Sequence, residues 1–100
     1  MSDSVYVTVA TYLGSGQEVR AIKGVSLSQS AAISRLQEHL KRKYLVPIVD
    51  TEYDWADLTV RQHQAEYQRE EVWFSKDGTF AFYGALRWTI EEYVTDRDLL

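Results

Sequence analysis

The chain has 100 residues, with eleven Lys and Arg against fifteen Asp and Glu, a formal net charge of −4. That length leaves room for one buried core and so implies a single domain over 1–100. The mild acid excess disfavours a broad electrostatic footprint on duplex nucleic acid. With no cysteine, disulfides, thiolate catalysis, zinc fingers and iron–sulfur clusters are excluded together.

Small secreted domains lean on disulfide staples, so a chain without them is expected to be cytoplasmic. The opening MSDSVYVTVATYLGSG carries no basic region before its short apolar run, which reads as a strand and not as a leader. No apolar stretch approaches the ~20 residues of a membrane span, so no membrane partner is expected. Aromatic residues at 13% argue against disorder.

Residues 5–12 alternate, with Val5, Val7 and Val9 on one face and Tyr6, Thr8, Ala10 and Tyr12 on the other. Period two with β-branched and aromatic side chains predicts a strand. Gly14-Ser15-Gly16 supplies a turn, and 18–25 reads as a second strand paired back on the first. A helix is predicted from about 27 to 44. Ser26 and Gln29 have capping-box spacing. Ile33, Leu36, Leu40 and Tyr44 then form one apolar stripe, and Lys41, Arg42 and Lys43 fall in the last turn, where cations meet the negative end of the helix dipole.

Residues 45–68 are the least legible. LVPIVD fits a short strand or a buried linker, and ADLTVRQHQAEYQ fits helix or strand. The last third is strongly β. Ser75 to Thr79 is a hairpin signal with two candidate registers. A two-residue loop at Asp77-Gly78 sets Trp73 opposite Phe82 and mixes both faces. A three-residue loop with Gly78 in a left-handed conformation sets Phe74 opposite Phe80 and Val72 opposite Phe82. The latter segregates the faces better and is preferred on the rule that burial sets register. Beyond it, Leu86, Trp88 and Ile90 continue the even positions, so 85–94 is taken as a continuing strand kinked at Gly84 rather than the helix that Leu86, Ile90 and Tyr93 also fit. The DRDLL tail is expected to fray.

These elements predict an α+β fold of two layers. An antiparallel sheet of four to five strands has one main helix on one face, in the order β-β-α-x-β-β with a possible further strand. Val5, Val7, Val9, Val72, Phe74, Phe80, Phe82 and Leu86 would lie beneath Ile33, Leu36 and Leu40. The opposite face would then carry Tyr6, Thr8, Tyr12, Trp73, Tyr83 and Arg87, more aromatic surface than a monomer leaves wet. Either the 45–68 segment covers it with Tyr53, Trp55 and Leu58, or another molecule does.

Catalytic patterns are absent. His39 and His63 have no metal-ligand spacing between them. Glu52, Asp54 and Asp57 lack the D-x-D-x-D-G pattern of a calcium loop. No G-x-S-x-G elbow or phosphate-cradling glycine loop occurs. Adjacent Glu70-Glu71 and Glu91-Glu92 point to opposite faces if they lie on strands. The expectation is therefore a non-enzymatic interaction module without cofactor or metal, binding a protein partner or a second copy of itself. Its contacts would come from Tyr6, Tyr12, Trp73, Tyr83 and Arg87, residue types that dominate protein interfaces. The alternative is single-stranded nucleic acid, with bases on the same rings and phosphates on Lys41, Arg42 and Lys43. An enzyme or metal protein would need a pocket around Trp55, Asp57 and His63. Small acidic chains of this kind are common among accessory proteins of phages and mobile elements, which suggests a host protein as one partner.

Overall fold

The computed structural model describes residues 3–14, 17–64 and 70–95. The chain is α+β, with strands β1 (Asp3–Gly14) and β2 (Gln17–Ser26), helix α1 (Gln29–Lys43), strand β3 (Ile48–Asp50), helix α2 (Trp55–Gln64), and strands β4 (Val72–Phe74), β5 (Phe80–Tyr83) and β6 (Leu86–Thr95). The six strands form one sheet in the order β2-β1-β6-β5-β4-β3. Every neighbouring pair is antiparallel except β3 and β4, which are parallel. The sheet thus has more strands than the sequence reading allowed, is mixed, and is accompanied by two helices. The Ser15-Gly16 turn and the DRDLL tail lie outside the described residues.

Helix α1 starts two residues later than the capping-box spacing suggested. Ser26 ends β2, and Ser28 is the N-cap, its Oγ accepting from Ala31 N at 3.2 Å. Ala32, Leu36 and Leu40 form its buried stripe. Leu36 and Leu40 cluster with Ala10, Trp88, Ala81, Phe74 and Val72, with Tyr83 and Ile90 at the margin. The illegible segment resolves into two elements. Ile48–Asp50 runs parallel to β4, and Asp54 caps α2 by accepting from Asp57 N at 2.9 Å. Leu58 of α2 packs with Phe80 and Phe82, flanked by Tyr53 and Trp73, on the other side of the sheet.

This two-sided cover overturns the expected faces. Helix α1 lies on the Thr8–Ala10 side of β1, while Val5, Val7 and Val9 lie on the other. The β4–β5 register is Trp73 opposite Phe82 and Phe74 opposite Ala81, not the segregated register preferred from sequence. Phe80 and Phe82 therefore point to α2, and Phe74 and Val72 to α1. The turn itself matches expectation: Gly78 N bonds Ser75 O at 2.9 Å and Gly78 has φ 79°. One more loop residue, Thr79, shifts the pairing. At Gly84 the chain does not kink but reverses, because Tyr83 pairs with Leu86 across a two-residue loop whose first residue, Gly84, has φ 61°, as Gly-first hairpin turns require. Beyond the loop, Leu86–Thr95 is a strand and not a helix, as the residue types of 85–94 suggested.

Two predictions follow from the 75–79 loop. A Cβ on Gly78 would sit 2.9 Å from Ile33 Cγ2 at a left-handed φ of 79°. Gly78→Ala should cost about 1–3 kcal/mol in urea unfolding, and adding Ile33→Ala should recover only the steric part. The Asp77 carboxylate accepts from Ser75 Oγ at 2.8 Å, Thr79 Oγ1 at 2.7 Å and Thr79 N at 3.0 Å. Partial burial pushes its pKa up, but the bonds from Thr79 and Ser75 outweigh that and hold it below its ordinary 3.8. Its contribution to stability is therefore complete well above pH 3.8 and disappears as pH falls through the lowered folded value. Asp77→Asn should be less stable than wild type at pH 7, with the gap closing in acid titrations as pH falls below 3.8.

Candidate binding surfaces

The five residues expected to share an open aromatic face are divided between the two sides of the sheet. Tyr6, Tyr12 and Tyr83 lie on the α1 side. Trp73 and Arg87 lie on the α2 side, where Phe82 is opposite both. Trp73 stacks on Phe82 with centroids 5.8 Å apart, and its Nε1 donates to Glu71 at 2.9 Å. Tyr83 meets Tyr44 edge-on at 4.6 Å. Arg87 pairs with Glu18 at 3.3 Å. Tyr6 donates its hydroxyl to Glu92 at 2.7 Å, and this bond, with burial and the Glu92 charge, raises the pKa of the phenol. Tyr12, 44% exposed, borders a cleft of about 410 Å³ with Tyr44 and Tyr83.

The expected basic cluster also divides. All three cations occupy the last turn of α1. Arg42 reaches back to Glu38 at 3.7 Å, and Lys43 lies 5.5 Å from the Tyr44 ring centroid. Lys43 faces a cleft against the sheet, and Lys41 does not line it. The third expected grouping finds Trp55 edge-on to Phe80 at 5.8 Å and Asp57 in a surface recess with Tyr53, Val60, Arg61 and Gln64. The side chain of His63 lies outside the described residues. Among the described residues no three of His, Cys, Asp and Glu converge on a metal-sized site.

The surface that the sequence reading missed lies beyond α2, on the same side of the sheet. Helix α2 covers Phe80 and Phe82, Gln62 reaches Leu86 O at 3.5 Å, and Val9 and Thr11 of β1 are also buried on this side, but among the described residues no element covers the rest. The remaining part of that face belongs to β1, β2 and β6. It presents Val7, Ile22, Val25 and Tyr93, of which Ile22 is 71%, Val25 53% and Tyr93 52% exposed. Val7 opposes Val25 on one neighbour and Glu91 on the other. A recess of about 530 Å³ runs through this patch, with Arg20 and Glu91 paired at 3.2 Å on its wall. The signal in the sequence is the Val5-Val7-Val9 alternation, which local pattern alone places under the helix.

Trp73 and Tyr83 are therefore packing residues. Trp73→Ala should cost about 2–3 kcal/mol in chemical denaturation, reduced from a full core truncation because the ring is only partly buried. The Trp73→Ala/Tyr83→Ala double variant should be less stable still, instead of folding normally with weaker association. No protein-family model, curated protein or solved structure matches the chain, so the role of these surfaces has to be argued from their chemistry.

Proposed function

We propose that the protein is a non-enzymatic interaction module whose contact surface is the uncovered β1–β2–β6 face and whose partner is a second copy of the chain. The observation that carries this reading is the exposure of Ile22, Val25 and Tyr93 on one continuous sheet face that α2 leaves bare. Contiguous apolar patches of this kind mark binding sites on otherwise polar surfaces.

The charges around the patch support self-association over a partner of one sign. Arg20 and Glu91 stand side by side on the patch, and Arg87 and Glu18 pair on the same face. A two-fold axis sets such a surface against itself, so that each Arg20 can share the Glu91 of the other copy. A uniformly basic or acidic partner would leave one of the two desolvated without a counter-charge. Packing face to face also fits the edge strand. β2 is bulged between its pairings with Thr8 and Val9, and bulged edges resist strand-to-strand addition.

Single-stranded nucleic acid has less support. The Trp73 ring is stacked on Phe82, Tyr83 is packed against Tyr44, and Arg42 is held by Glu38, which leaves few ring faces for bases beside the helix end.

Light scattering across a concentration range should give a mass that rises from 11.6 kDa toward twice that value. Ile22→Glu places a charge at the patch centre on an already exposed position. It should weaken association at least ~10-fold without lowering the melting temperature of the monomer, as truncating an interface anchor does. A wild-type protein that stays at 11.6 kDa throughout, or an Ile22→Glu variant that associates as the parent does, would overturn the reading.

A further inference from the structure

The described cations differ in what they face. Arg20, Arg42 and Arg87 each meet a carboxylate, and Arg61 bonds the Tyr53 hydroxyl at 3.3 Å. Lys23, Arg35, Lys41, Lys43 and Lys76 have no carboxylate partner among the described residues, and three of these five, Lys23, Arg35 and Lys43, converge with His39 on one cleft. That cleft, about 270 Å³, lies between α1 and the β1–β2 ladder, on the side of the sheet opposite the apolar patch. No Asp or Glu lines it. In a chain with fifteen acids and eleven bases, an acid-free cleft with three cations is a local reversal of the overall charge.

Two features of the sequence build it. Arg35, His39 and Lys43 recur every four residues, so they form one helical stripe immediately beside the buried Ala32-Leu36-Leu40 stripe. Opposite them, the β1–β2 register passes from Thr8–Gly24 to Val9–Ile22, which leaves Lys23 as the extra residue of a bulge. Bulges re-aim side chains beside functional sites, and here the re-aimed residue is a lysine lining the cleft. Gly24 follows it, and a Cβ there would meet nothing within 4 Å. The glycine keeps the strand bare where the cleft is open.

Arg35 is also held in place. Its Nη1 donates to Val25 O and to Ser26 Oγ, both at 3.3 Å. The guanidinium is thus fixed to the end of β2 with further N–H groups still to offer, the fork geometry that suits phosphate. His39 offers a ring N–H in either protonation state.

We infer that this cleft binds the phosphate group of a small phosphomonoester. Three cationic side chains favour a dianion over a single carboxylate, and donors on both walls match tetrahedral oxygens. The volume is near the lower end of ligand pockets, ~300 Å³, which fits a phosphate with a small substituent. The Trp88 ring in the cleft wall is buried beneath Leu36 and Leu40 and offers no open face for a base.

The test is a titration of ¹⁵N-labelled protein with inorganic phosphate and with methyl phosphate, at ionic strength held constant with sodium chloride. Both should produce saturable amide shifts centred on Thr8, Gly24 and Ser26. Lys23→Gln and Lys43→Gln, both exposed and without an ion pair among the described residues, should each weaken binding at least ~10-fold, a value in line with loss of one charge-assisted bond. Lys41→Gln, two residues from Lys43 but outside the cleft, should bind as wild type does. Shifts that spread over the surface without saturating, or an equal loss in Lys41→Gln, would overturn the inference in favour of general charge attraction. So would saturable binding of a short single-stranded oligonucleotide when neither phosphate nor methyl phosphate saturates. The Ile22→Glu variant, altered on the opposite face, should retain phosphate binding, which separates this result from the self-association test.

Discussion

The ladder between the first and last strands governs the architecture. β1 pairs with β6 from Asp3–Thr95 to Tyr12–Leu86, ten residue pairs that join the two ends of the sequence. Because β2 lies on the other side of β1 and β5 on the other side of β6, this ladder lies in the interior of the sheet. Closing so long a loop is entropically costly and is compensated only when the non-local contacts form together. Once formed, the ladder makes β1 and β6 internal strands with two faces to cover. Trp88 of β6 opposes Ala10 of β1 and Ala81 of β5. The large ring between two alanines leaves room for Leu36 and Leu40 of α1 to approach closely.

The cover on the second face is incomplete for a reason of length. Strands β3, β4 and β5 have three or four residues each, whereas β1, β2 and β6 have ten to twelve. Helix α2, with ten residues, sits over the short-strand end, where Phe80 and Phe82 supply its contacts. The long strands extend beyond it, and the molecule is correspondingly elongated, 46 × 28 × 24 Å. Among the described residues, the part of the β1–β2–β6 face that α2 leaves open is therefore a consequence of unequal strand lengths.

Much of the fold was legible, and the errors have a common cause. The Val5–Tyr12 alternation, the apolar stripe of α1 and the Gly78 turn all act locally, and each was found where local chemistry placed it. The face assignments required knowledge of what lies on the far side of the sheet. A sheet covered on both sides has apolar residues at both parities, so segregation of Phe74, Phe80 and Phe82 onto one face was the wrong criterion for register. Gly84 shows the same limit. A two-residue hairpin loop reverses parity, so that Phe82 shares its face with Arg87 and not with Leu86. The even-numbered run through Leu86, Trp88 and Ile90 looked continuous only because both faces are apolar. The basic run at 41–43 is one cluster in sequence, but helical spacing disperses it: Lys43 falls in line with Arg35 and His39, and Arg42 with Glu38.

The two candidate surfaces meet at one irregularity in one strand. Ile22 pairs with Val9 and points to the bare face, while Lys23, the next residue, is the extra residue of the bulge and lines the cationic cleft on the other face. A regular β2 would keep strict alternation and present a straight edge to any passing strand. The bulge breaks that edge, adds a lysine to it and brings the lysine to the helix stripe at the same step. Its position also keeps the two surfaces physically separate, because a contact made through Ile22, Val25 and Tyr93 leaves α1 and its cleft facing solvent. The arrangement gives the molecule one face suited to association and another suited to a small anion, with a single strand between them.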